Sequence, residues 1–148
     1  MGVPEPGSIV GVTFAPGSFR ITAEDNRTTC GILGGPVAAD GSAHPIYAFI
    51  GTRRGGPSVL KVLETAGATL DNGPMLGALD ATFDAPIMTD TTYDVTGEVT
   101  GFDRKVGRKT GVFDVMTFVL RLVEQDGGAV VASCGQSWII PRKELDHA

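Results

Sequence analysis

A histidine and an aspartate in one loop are the residues of this chain best suited to acid–base chemistry. Asp40 precedes His44 by four residues in a segment of glycine and alanine, and an apolar run follows. Histidine changes charge near neutral pH, and with a carboxylate it can serve general acid–base catalysis. Both residues also have structural interpretations. His44 could bond a backbone group before a helix, and Asp40 could cap a helix or lie in a solvated turn.

The charge pattern argues against a nucleic-acid-binding protein. The chain has 148 residues and a formal net charge of −5. Its basic cluster comprises Arg104, Lys105, Arg108 and Lys109, which is too small for a nucleic-acid surface. We expect this cluster to form a solvated turn, and the alternative is a contact to a cofactor phosphate.

The cysteine and histidine content predicts neither a zinc site nor a disulfide. Cys30 and Cys134 are the two cysteines, and no CxxC pair occurs. The histidines are His44 and His147, the second of which lies in the predicted C-terminal tail. No signal peptide and no apolar run of about 20 residues is evident. We therefore expect a cytoplasmic protein with free thiols and no bound cofactor.

Two helical segments are predicted in the first half of the chain. Thr22 is a typical N-cap, with acidic residues in the next turn, and this helix should end near Gly34. A buried helix should open at Pro45 and break at residues 55–57. It should then continue through residues 58–66.

The second half of the chain changes to the alternation typical of strands. Strands are predicted at residues 79–87, 93–99, 112–123 and 129–140, the first of them half-buried. A buried helix before such strands requires the sheet to wrap around it. The sequence therefore predicts an α+β fold in a single domain, 1–148, with tails at residues 1–7 and 142–148.

Four segments in the correct order resemble the MaoC-like hydratase/dehydratase branch of the hot-dog superfamily. They are FRITAED at 19–25, AHPIYAFIG at 43–51, FDAPIMTDTTY at 83–93 and DGGAVVA at 126–132. The resemblance covers roughly residues 18 to 141 and implies a hot-dog fold, an antiparallel sheet wrapped around a central helix. It also implies an (R)-specific enoyl-thioester hydratase or 3-hydroxyacyl-thioester dehydratase, with the acyl group carried on coenzyme A or acyl carrier protein.

The loop from Gly34 to His44 departs from the family pattern. The family dyad is an Asp and a His five residues apart in G-D-x-N-P-x-H, and that motif is absent here. Asp40 and His44 are either a displaced dyad, or His44 matches a non-catalytic His and the dyad is deleted. In the family, backbone N–H groups at the central helix start polarise the thioester carbonyl, and Pro45 removes one of them.

Four residues near the predicted central helix could bind the substrate. Tyr47 either packs in the core or contacts substrate. Arg53 and Arg54 suit the helix C-terminus, and the alternative is that they bind a phosphate of the thioester carrier. Asn72 most simply makes a turn, yet it precedes the first long strand, where some hot-dog enzymes place polar residues.

Two alternatives to a hydratase remain open. The missing dyad motif favours a catalytically silent hot-dog subunit that shapes the site of an active partner. The other is a repurposed hot-dog enzyme, such as a thioesterase, cyclase or isomerase, although Glu64 is the only acidic residue in the helical region and lies late. In each case we expect a homodimer or a pair with a second hot-dog subunit, with Trp138 and residues 112–123 as possible contacts.

Overall fold

The structure, a computed structural model, describes residues 2–146 and contains a five-stranded antiparallel sheet in the order β1-β3-β4-β5-β2. The strands are β1 (Gly17–Arg20), β2 (Met75–Phe83), β3 (Thr92–Gly107), β4 (Gly111–Glu124) and β5 (Val130–Pro141). The α-helices are α1 (Ala23–Leu33), α2 (Tyr47–Gly55) and α3 (Val59–Thr65). Short 3₁₀ turns cover Leu70–Asn72 and Lys143–Leu145. The predicted α+β hot-dog architecture is confirmed.

Helix α1 forms where its local signals predict it. The Thr22 hydroxyl accepts a hydrogen bond from the Asp25 N–H at 3.0 Å, which satisfies one of the free donors of the first turn. Gly34 ends the helix with φ 73°, a conformation that costs glycine little. The helix buries Asn26 and Cys30, one turn apart, and so turns that face toward the core.

Helices α2 and α3 cover the inner face of the sheet. Helix α2 begins at Tyr47, two residues after the predicted start at Pro45, and ends at Gly55 as expected. Ser58 then caps α3 by accepting from the Lys61 N–H at 3.1 Å. Val62 and Leu63 of α3 are fully buried, so α3 contributes a large part of its apolar surface to the core. Within residues 2–146, no helix is long and apolar enough to cross a membrane.

The basic cluster was wrongly predicted to form one turn. Arg104 and Lys105 belong to β3, and the turn contains only Arg108 and Lys109 with the following threonine. Arg104 donates from Nε to an oxygen of Asp114 at 2.8 Å, which fixes it on the neighbouring strand β4. Strand β3 is longer than predicted, and Arg104 faces Asp114 across the ladder with β4.

Strand β2 was wrongly predicted to be half-buried. All nine of its residues are exposed, and β2 lies at one edge of the sheet. Strand β4 lies between β3 and β5 and has no free edge. Trp138 is 6% exposed and packs edge-on against Phe118 at 5.5 Å between ring centroids, so it belongs to the core. Of the two edge strands, β1 and β2, the long one with exposed apolar residues is therefore β2.

Residues of both predicted tails contact the domain. The Pro4 carbonyl accepts from Arg104 Nη2 at 2.8 Å, and the Gly7 N–H donates to the Phe102 carbonyl at 2.8 Å. Arg142 is fully buried. The predicted tail residues Met1, His147 and Ala148 lie outside the described residues.

Candidate active site

A cavity of about 620 Å³ lies between the α1–α2 loop and the end of β2. Its lining includes Cys30 of α1, the loop residues Gly35, Pro36, Ala38 and 42–45, and the segment 83–87. Both segments carry motifs from the sequence resemblance, and they meet here because Ser42 bridges to Met88 and the Ala43 N–H donates to Ile87 at 2.6 Å. We call this space the first cavity.

His44 lines the first cavity and is held on both its backbone and its ring. Its N–H donates to Asn26 Oδ1 at 2.8 Å, and its Nδ1 accepts from the Ile46 N–H at 3.0 Å. An Nδ1 that accepts a backbone N–H carries a lone pair, so the neutral ring has its proton on Nε2. His44 is thus a structural cap through Nδ1 and a potential proton donor through Nε2.

Asp40 has other partners. Its Oδ1 accepts from the Ser42 N–H at 2.9 Å and from the Ser42 hydroxyl at 2.6 Å, in an exposed turn. These hydrogen bonds lower the pKa of the Asp40 carboxyl. Asp40 is not among the residues that line the first cavity, and no hydrogen bond joins it to His44 within residues 2–146. The carboxylate that does line the cavity with His44 is Asp84.

The N–H groups at the start of α2 are occupied. The Ile46 N–H bonds the His44 ring, and the Tyr47 and Ala48 N–H groups donate to the carbonyls of His44 and Pro45 at 3.1 and 3.0 Å. Pro45 has no N–H to offer. This helix start therefore has no free donor, from Pro45 through Ala48, for polarising a thioester carbonyl.

Tyr47 and Asn72 make structural contacts. Tyr47 is 1% exposed, its hydroxyl lies 2.5 Å from Thr29 Oγ1, and its ring stacks on Phe19 with 5.9 Å between centroids. Asn72 accepts from the Thr69 N–H at 3.0 Å and donates to the Pro141 carbonyl at 3.0 Å, which ties the α3–β2 connection to the end of β5. Neither residue lines the first cavity.

Arg53 lines a separate cavity of about 310 Å³ at the other end of α2, which we call the second cavity. Its guanidinium carbon lies 5.8 Å from the centroid of the Trp138 ring, and burial lowers the pKa of Arg53. Arg54 is exposed and lines neither cavity. Glu64 lies on α3, pairs with Lys61 at 3.1 Å and also lines neither cavity. The structure thus separates Arg53 from His44.

Sequence reasoning missed three polar residues at these cavities. Asn26 positions His44, Asp84 lines the first cavity, and Gln136 lines the second. The one-turn spacing of Asn26 and Cys30 on a capped helix was a usable signal for a buried polar face. Gln136 occupies a buried position of β5, where the neighbouring buried residues are apolar. A polar side chain at such a position indicates a specific hydrogen-bond partner.

No protein-family model matches this chain, and no curated protein matches it. Its fold does match solved structures. The (3R)-hydroxyacyl-ACP dehydratase complex HadBC from Mycobacterium tuberculosis has a TM-score of 0.67 at 15% identity, covering 89% of this chain and 97% of that one. The ChsH1–ChsH2 complex from the same organism has a TM-score of 0.67 at 14% identity, covering 87% and 84%.

A MaoC-like dehydratase from Rhodospirillum rubrum is also similar. Its TM-score is 0.62 at 17% identity, over 92% of this chain and 94% of that one. The chain therefore has the hot-dog fold found in MaoC-like dehydratases. At sequence identities of 14 to 17%, the similarity to these structures shows the fold alone.

Proposed function

We propose that this chain is a hot-dog hydratase or dehydratase that acts on acyl thioesters, with the first cavity as its active site. The reaction adds water across the double bond of a 2-enoyl thioester, or removes it from a 3-hydroxyacyl thioester. One observation carries the proposal. A histidine that is fixed through its backbone and Nδ1, and that keeps Nε2 as its remaining ring donor, lines a cavity large enough for an acyl group.

The tautomer of His44 suggests its role. In the dehydration direction a base removes a proton from C2, the C3 hydroxyl takes a proton from an acid, and water leaves. His44 Nε2–H is suited to the acid role. Asp84, which lines the same cavity, is the proposed base. Asp40, the partner expected from the sequence, could approach His44 only after releasing its two hydrogen bonds to Ser42.

The partner we propose is a second hot-dog subunit paired through β2. The strand exposes Met75, Leu76, Leu79 and Phe83, each at least 43% accessible. An exposed strand edge with apolar residues is a template for pairing with another strand. Two similar structures, HadBC and ChsH1–ChsH2, are complexes, which supports such pairing with an identical or a different subunit. The acyl group would be carried on coenzyme A or acyl carrier protein.

The test is turnover of crotonyl-CoA and longer enoyl-CoA esters, followed as loss of the enoyl absorbance. His44→Asn keeps an acceptor where Nδ1 bonds Ile46 but has no atom at Nε2. His44→Gln places its amide closer to Nε2. We expect turnover by the wild type, a loss of at least about 100-fold in His44→Asn, and an unchanged fold by circular dichroism. Hydration that persists undiminished in a folded His44→Asn protein would contradict the proposal.

A catalytically silent subunit is the second candidate function. It is favoured by the occupied N–H groups at the start of α2, which leave the thioester carbonyl without a donor there. This function predicts no turnover by the chain alone, and activity when a neighbouring hot-dog protein is added. It also predicts that His44→Asn leaves the activity of that complex unchanged.

A further inference from the structure

Two side chains that line the second cavity each carry a buried N–H donor that has no acceptor. Arg53 Nη1 and Gln136 Nε2 are both buried and make no hydrogen bond within residues 2–146. Both side chains line the cavity. Buried donors without acceptors are rare in folded proteins, and each requires an explanation. A bound group that supplies acceptors at this place would satisfy both.

Gln136 is fixed in an orientation that leaves its amide nitrogen free. The side chain is 3% exposed, and its Oε1 accepts from Trp138 Nε1 at 3.0 Å. Because this bond assigns the oxygen, the NH₂ group is the end without a geometric hydrogen bond, and the neighbouring Cys134 sulfur is only a weak acceptor for it. Rotating the amide would set two N–H donors against each other at Trp138.

Arg53 is a cation without a carboxylate partner in the described part of the chain. Arg53 forms no ion pair and no hydrogen bond there; the Trp138 ring centroid lies 5.8 Å from its guanidinium carbon, and the Cys134 thiol is also a neighbour. A guanidinium remains charged at all ordinary pH values, so burial does not remove the need for an acceptor. A planar fork of N–H groups matches the two oxygens of a carboxylate.

We propose that the second cavity binds a small molecule that carries a carboxylate on an apolar body. The carboxylate oxygens accept from Arg53 and Gln136, and the apolar body contacts Phe49, Val59 and Trp138. The volume of about 310 Å³ lies at the lower end of ligand pockets, which indicates a small ligand. Arg53 is the only charged residue of this lining, so the site suits a monoanion better than a phosphate dianion. This site is separate from the first cavity and does not depend on the reaction proposed at His44.

The test uses 4-phenylbutanoate and its neutral amide, 4-phenylbutanamide, titrated into the full chain by calorimetry. We expect the wild type to bind the acid at least tenfold more tightly than the amide. Arg53→Gln should remove this preference. Arg27→Gln is the matched control, because Arg27 is exposed on α1 and carries the same charge away from the cavity.

Gln136→Glu provides a second variant, which keeps the side-chain length of Gln136. The glutamate retains the acceptor for Trp138 and supplies a carboxylate beside Arg53, so it should abolish binding of the acid and raise the melting temperature. His44→Asn should bind the acid like the wild type, which separates this site from the proposed reaction.

Equal affinity for acid and amide, absence of binding in the wild type, or retained preference in Arg53→Gln would overturn the proposal. The proposal would also be overturned if the wild-type protein is a dimer that binds no acid and if Arg53→Gln converts that dimer to a monomer. That result would assign the two donors to a carboxylate of a second copy of this chain.

Discussion

The buried ion cluster around Asp114 predicts a large loss of stability in Asp114→Asn. Asp114 and Arg142 are both 0% exposed, and Arg142 Nε donates to Asp114 at 2.7 Å. Arg104 donates to the same carboxylate from Nε at 2.8 Å and from Nη2 at 3.0 Å. Arg142 also donates to the carbonyls of Ala66 and Gly67, which joins the end of α3 to β4 and β5.

The magnitude follows from the charge left behind. Removing one partner of a buried ion pair costs about 3 to 5 kcal/mol of unfolding free energy. Glu144 stays 3.5 Å from Arg142 but is partly exposed, so it compensates incompletely and places the expected loss near about 3 kcal/mol. For a chain of this size that corresponds to a fall in melting temperature of roughly 6 to 12 °C.

Urea unfolding followed by circular dichroism measures this loss. Asp103→Asn is the matched control, since Asp103 is exposed on β3 and the substitution removes the same charge. The control should change stability by no more than about 0.5 kcal/mol. A loss below about 1 kcal/mol in Asp114→Asn, or equal losses in both variants, would refute the reasoning.

Three further predictions concern the active site, the edge strand and a buried thiol. Asp84→Asn should lower enoyl-CoA hydration at least about 100-fold, whereas Asp40→Asn should change it much less; the reverse order of rates would contradict the assignment of the base. Leu79→Glu should shift the chain toward monomer in sedimentation without lowering its helix content, because Leu79 is 43% exposed; an unchanged assembly would exclude β2 as the interface. Burial raises the pKa of the Cys134 thiol, so its contribution to folding is complete below about pH 8.5 and declines as the pH rises further. Urea unfolding at about pH 7 and about pH 9.5 should show a larger loss in the wild type than in Cys134→Ala; equal losses would contradict this.

Local signals allowed the helices to be predicted from the sequence. Thr22 and Gly34 bracket α1, and the break at Gly55 separates α2 from α3, because caps and glycine act within a few residues of the chain. The correct order of the motifs gave the hot-dog fold. The exposure of β2 could not be read in this way, since its alternating pattern is the same at a sheet edge as at the centre.

The site depends on contacts between distant segments. The spacing of Asp40 and His44 does not show that Ser42 occupies the carboxylate or that the Ile46 N–H occupies the ring. Arg142 was predicted to lie in a tail, and nothing in the sequence indicated its carboxylate partner, Asp114, which lies 28 residues earlier. Strand register determines side-chain pairs of this kind. The register depends on the hydrophobic pattern of all the strands in the sheet and not on one segment of the sequence.

The most direct test of the central claim is whether an acyl thioester binds beside His44. The chain has two histidines, so the imidazole NMR signals are few and His44→Asn assigns them. Butyryl-CoA, which has no double bond to hydrate, should shift the His44 signals in the wild type at concentrations where free coenzyme A leaves them unchanged. Saturable binding of butyryl-CoA that leaves the His44 signals in place would contradict the assignment of the first cavity as the thioester site.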